Sequence, residues 1–156
     1  MKPVNLKDII DEMDTISDDY KVFLNKETGN VVSLSVEVLS IAEESEEDED
    51  FSDYPEWQQD ELKEALNVVV NWEDYVELPD KFDIDEYSIM EEFCDYVSNS
   101  QMGDALRHSI RGRGAFRKFK DTIQRLNIDD SWYKFKEEAF RKIAVEWCKD
   151  NYIEYV

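Results

Sequence analysis

Residues 20–36 read Tyr20-Lys-Val-Phe-Leu-Asn25-Lys-Glu-Thr-Gly-Asn30-Val-Val-Ser-Leu-Ser-Val36. Tyr20, Val22 and Leu24 recur at every second position, as do Val32, Leu34 and Val36. The connection from Asn25 to Asn30 holds Gly29, which tolerates a positive φ. This pattern predicts a β-hairpin. Elsewhere the apolar residues follow a helical period, so the expected fold class is α+β, mostly helical with an N-terminal β-hairpin.

Upstream, Leu6, Ile9, Ile10 and Met13 mark one face of a short helix over 5–14, with Asn5 as N-cap and Asp8 in the first turn. Downstream, Trp57, Leu62, Ala65, Leu66, Val69 and Val70 predict a helix opened by Pro55 and running to about Trp72. Residues 75–79 read as a short extended or turn segment. Asp83 and Glu86 form an N-cap and N3 pair for a helix over 84–97, which carries Met90, Phe93, Cys94 and Val97. Helices are also expected over 100–111, with Gly112 as a left-handed cap, over 115–126 through Phe116, Phe119, Ile123 and Leu126, and over 131–148. Asp129, Asp130 and Ser131 cap the last of these, and the alternating end, 152–156, adds a short strand.

At 156 residues the chain is expected to form one domain, with a helix and hairpin over 1–42, an acidic loop over 43–54 and a helical part over 55–156. A hydrophobic content of 42% is too high for a disordered acidic tail. No apolar run approaches membrane-spanning length and no leader pattern is present. Cys94 and Cys148 are widely separated. A soluble cytoplasmic protein with reduced cysteines and no membrane association is the expectation.

Charge is the extreme feature. The chain carries 18 basic and 39 acidic side chains, a net of −21, which disfavours a generic nucleic-acid binder. The first hundred residues hold a net of −24 and the remainder a net of +3. Within 107–125, Arg107, Arg111, Arg113, Arg117, Lys118, Lys120 and Arg125 face only Asp121. Such a cluster either pairs with the acidic half or binds an anion. Residues 43–50 hold seven acids in eight positions, which predicts an extended, solvated and mobile loop without an apolar anchor. A docking surface for a basic partner is the alternative.

No sequence feature names a reaction. The single histidine, His108, follows Asp104 by one helical turn, and no loop serine is presented to it, so an exposed imidazole steadied by Asp104 is the expectation. Two distant cysteines and one histidine do not make a zinc set. Asp48, Asp50 and Ser52 alternate like calcium ligands, but Asp53 stands where a glycine is needed and Gln59 where a glutamate is needed. Phosphate-loop and dinucleotide fingerprints are absent. A metal-assisted hydrolase would need carboxylate pairs that cannot be singled out among 39 acids. No cofactor or metal is called for.

The stretch from Arg111 to Lys120 differs in kind, because it sets glycines and arginines at a helix start. Free N–H groups, the positive end of the helix dipole and bidentate guanidinium groups together suit phosphate or carboxylate. Arg113, Gly114, Arg117, Lys118 and Lys120 are therefore the candidate anion-binding residues. The alternative is a structural turn with Phe116 and Phe119 in the core. A helix-turn-helix with 115–126 as reading helix is a further possibility, opposed by the net charge.

Gly112-Arg-Gly-Ala-Phe-Arg-Lys-Phe-Lys-Asp121, Trp132-Tyr-Lys-Phe135, 144–147, the hairpin segment Phe23-Leu-Asn-Lys-Glu-Thr-Gly-Asn30 and 87–93 resemble the bacterial uncharacterised protein family 158. The resemblance covers most of the chain. It implies no activity and no catalytic residue; Gly112, Arg113, Gly114, Phe116, Arg117 and Phe119 are the positions that match its signature. The acidic run before Phe51 reads as this chain's own elaboration. The expected function is a non-enzymatic binding or regulatory protein that recognises an anionic ligand such as nucleic acid. The alternative is an acidic module that mimics nucleic acid or neutralises a basic protein.

Overall fold

The hairpin forms as β1 (Tyr20–Asn25) and β2 (Val31–Ser35) in a computed structural model that describes residues 3–156. Its connection is held by the Asn25 side chain, whose Oδ1 accepts from Glu27 N at 2.9 Å and Thr28 N at 3.2 Å, while Gly29 takes φ +77°. A third strand, β3 (Tyr75–Glu77), pairs antiparallel with the other side of β1, giving the order β2-β1-β3. β1 is thus central and buries Val22, Phe23 and Leu24 in succession, so the expected alternation fails at Phe23. Both faces of this strand are covered.

These strands belong to a first compact unit, made of the residues up to Lys81 and Ala144–Val156. It opens with α1 (Leu6–Thr15), where Asn5 Oδ1 accepts from Lys7 N at 2.9 Å. Val36 does not extend β2. Ser35 turns the chain into α2 (Val36–Glu43) by capping Val38 N at 3.1 Å, and Val38, Leu39 and Ala42 pack with Phe23, Leu34, Leu62 and Ala65. Ser35 is both strand end and helix cap, a double role that hid this helix in the sequence.

The acidic segment is shorter and less extended than expected. Glu43 ends α2 and Glu44 caps it, and Glu49 N donates to Glu46 O at 3.1 Å in a turn. Residues 46–50 are exposed, but Phe51 beside them is fully buried at φ 59° with its N–H donating to the Glu49 carboxylate at 3.0 Å. An apolar anchor therefore adjoins the run. Pro55 is the N-cap of α3 (Glu56–Val70) rather than a first-turn residue, and Trp57 lies 79% exposed, off the stripe of Leu62, Ala65, Leu66 and Val68. A 3₁₀ turn at Trp72–Asp74 leads into β3. The chain end forms one parallel bridge, Val4↔Tyr155, instead of a full strand.

The second unit is Phe82–Ile143. After α4 (Lys81–Ile84), α5 (Glu86–Tyr96) starts two residues later than expected. Its N-cap is Asp85, at φ 45°, which accepts from Ser88 N at 3.3 Å and Ser88 Oγ at 2.7 Å. α6 (Ser100–Ser109) is capped by Asn99, and α7 (Ala115–Arg125) and α8 (Asp129–Asp150) follow. Asp129 and Asp130 lie in the first turn of α8 rather than before it, and α8 continues into the first unit from Ala144. Phe93 organises this core, with ring centroids 5.3 Å from Trp132, 5.3 Å from Phe135 and 6.2 Å from Phe119. Cys94 and Cys148 are buried and free. Among the described residues no helix is long and apolar enough to cross a membrane.

Candidate functional site

The connection between α6 and α7 is built by two left-handed glycines. Gly112 stands at φ +72° and Gly114 at φ +71°, and a Cβ at either would meet nothing within 4 Å. Backbone conformation, not lack of space, is what requires glycine here. Gly114 is the N-cap of α7 and supplies no side-chain cap. The first-turn N–H groups of α7 consequently have no side-chain acceptor from the cap residue.

The basic side chains around this turn divide by what they touch. Arg107 donates to Asp95 and to Asp104, each at 3.0 Å, and to Cys94 O at 3.4 Å. The hydrogen bond it donates to Asp95 raises the affinity of this guanidinium for its proton. Asp104 is thus committed to Arg107 three residues on, and not to His108 as its spacing suggested. The reason is reach: a guanidinium spans both carboxylates at once. Lys118 donates from Nζ to Arg111 O at 2.9 Å and ties α7 back across the turn. This candidate residue thus takes a structural bond.

Arg113, Arg117 and Lys120 are exposed, and among the described residues no carboxylate lies in ion-pair contact with them. Gly114 is exposed between them. A neighbouring groove of about 260 Å³ is lined by Tyr87, Glu91, Cys94, Asp95, Arg107, Ile110 and Arg111. Arg111 belongs to both the groove and the turn; Arg113 and Arg117 are not in the groove lining. Tyr87 closes one wall by donating from its hydroxyl to Ile110 O at 2.9 Å. Burial raises the Cys94 thiol above its ordinary range, so it presents no ready thiolate.

Phe116 is not a core residue. It is 50% exposed, whereas Phe119 is 1% exposed and packs 4.8 Å from Trp132. The buried stripe of α7 is Ala115, Phe119, Thr122 and Ile123. Counting that stripe from Ala115 at i, i+4, i+7 and i+8 would have placed Phe116 outside, next to Lys120. An aromatic face and free cations therefore share one surface of α7. Among the described residues, no group of three or more His, Cys, Asp and Glu side chains is placed to hold a metal ion.

A family model described as Uncharacterised protein family (UPF0158) matches residues 1–156. The chain belongs to this family. Membership in UPF0158 supplies no reaction, so function rests on the surface chemistry of the chain itself. No curated protein and no solved structure matches it.

Proposed function

We propose that this member of UPF0158 is a non-enzymatic binding protein whose α6–α7 turn and exposed α7 face contact an anionic group of a partner, with phosphate of a nucleic acid as the first candidate. The observation that carries this reading is the exposure of Arg113, Arg117 and Lys120 without carboxylate partners among the described residues, in a chain that has 39 acids to offer. The charge distribution supports it. The first unit holds 7 basic and 27 acidic side chains, a net of −20, while the second holds 11 and 12, a net of −1. Most of the acids thus belong to the other unit and not to the one that carries the cluster. Gly114, Lys118 and the α7 amides add donors at the helix start, and Phe116 adds a face on which a base can stack. In this reading Lys118 contributes charge from its place across the turn.

A second reading is favoured by the exposure of residues 46–50 in the strongly acidic unit: a module that engages a basic protein. The two readings separate in one experiment, titration with a single-stranded oligonucleotide and with a polylysine of similar length. The first predicts oligonucleotide binding that Arg113→Ala/Arg117→Ala abolishes. Polylysine binding with no oligonucleotide binding supports the second and overturns the first.

A further inference from the structure

One edge of the sheet is left open over a short distance. Asn25 N donates to Asn30 O at 2.8 Å and Val36 N to Asp19 O at 2.9 Å, and the β1–β2 register runs unbroken between them. Bonded and non-bonded pairs alternate in an antiparallel ladder, so Asn30, Val32, Leu34 and Val36 face β1 while Val31, Ser33 and Ser35 turn their backbone groups outward. Ser35 N is closed by Glu61 Oε1 at 3.0 Å. The opposite edge is closed where Trp147 Nε1 donates to Glu77 O at 3.0 Å. At Val31 and Ser33 the outward N–H groups meet no acceptor among the described residues.

A cleft flanks this edge on each side. One, of about 360 Å³, lies between α1 and the hairpin and brings Asp8, Asp11 and Glu12 beside Asn30 and Val31. The other, of about 410 Å³, lies toward α3 and brings Glu64, Asn67 and Tyr75 beside Val31 and Val32. Successive side chains of an added strand point to opposite faces, so they would enter the two clefts in turn.

We propose that residues 31–33 of β2 accept an extended basic segment of a partner protein as a fourth strand. Main-chain bonds to Val31 and Ser33 hold the segment. Lysine or arginine at alternate positions meets Asp8, Asp11 and Glu12 on one side, while Glu64 receives the intervening polar side chains on the other, beside an Asn67 amide already held by Tyr75 and Asn71. The net charge of −20 on this unit selects a basic segment over an acidic one. The inference stands on a different surface from the α7 cluster and survives or fails independently of it.

The test uses the full chain and a fluorescein-labelled peptide of alternating lysine and threonine, six residues long. Binding is followed by anisotropy at low ionic strength, with amide resonances of the protein followed in parallel. The expected result is saturable binding that shifts Val31 and Ser33, weakens by about fivefold or more when alternate peptide amides are N-methylated, and weakens similarly in Ser33→Pro. The N-methylated peptide keeps the test valid if Ser33→Pro does not fold. Absence of binding, or binding indifferent to N-methylation, overturns the proposal; in the latter case charge alone attracts the peptide.

Discussion

Lys118 Nζ donates to Arg111 O at 2.9 Å and so bridges the two left-handed glycines that join α6 to α7. The same few residues therefore hold a structural clamp and, in Arg113 and Arg117, exposed guanidinium groups with no ion-paired carboxylate among the described residues. Structure and proposed recognition can be separated by substitution.

Gly112→Ala and Gly114→Ala should each destabilise the protein by about 1–2 kcal/mol, the cost of a left-handed alanine, since no steric clash adds to it. Lys118→Met should cost about 0.5–1.5 kcal/mol, toward the low end because the bond is exposed. Urea denaturation checks both. A neutral Gly114→Ala would contradict the turn geometry.

Phe116→Ala and Phe119→Ala should behave oppositely. Phe119 sits against Phe93 and Trp132, so its truncation should cost about 3–5 kcal/mol. Phe116 is half-exposed, and its truncation should cost less than about 1 kcal/mol while weakening oligonucleotide binding. Equal destabilisation by the two variants would place Phe116 in the core after all.

Removing residues 46–48 and joining the ends with a short Gly-Ser linker, which keeps the Glu49 carboxylate that accepts from Phe51 N, should leave unfolding cooperative, because the removed residues are exposed. Phe51→Ala should instead cost about 3–5 kcal/mol. If the loop deletion costs as much as Phe51→Ala, the acidic run is docked and not merely tethered by its neighbour.

Burial raises both Cys94 and Cys148 thiols above the ordinary value of 9.0. Above that pH the unfolded chain loses thiol protons that the folded chain keeps, so the unfolded state binds fewer protons and stability falls as pH rises. Denaturation midpoints between pH 8 and pH 10 should decline more steeply in the wild type than in Cys94→Ala/Cys148→Ala. Parallel slopes would contradict the burial argument.

The hairpin, the helices flanking residues 112–114 and most of the core were legible because turn chemistry and periodicity agree there. α2 was not, since Ser35 serves strand and helix together and Val36 continues the strand pattern by composition. The i, i+3 spacing of Phe116 and Phe119 fits the alternative of a structural turn with both in the core, but it is also the spacing of a residue at the margin of a buried stripe. Asp104 had two basic neighbours in reach along its helix, and only the tertiary position of Asp95 decides for Arg107 over His108. The charges of Arg113, Arg117 and Lys120 could be read from the sequence, but whether acids met them depended on where 39 carboxylates fold.

Anion recognition by the α7 surface is measured most directly by the anisotropy of a labelled single-stranded oligonucleotide titrated with wild-type protein and with Arg113→Ala/Arg117→Ala, after matching circular dichroism and denaturation curves show both are folded. The predicted result is binding at low ionic strength that declines as salt is added and is weaker by about tenfold or more in the double variant. No binding by the wild type at low salt, or equal binding by the two proteins, would contradict the assignment of this surface to anion recognition.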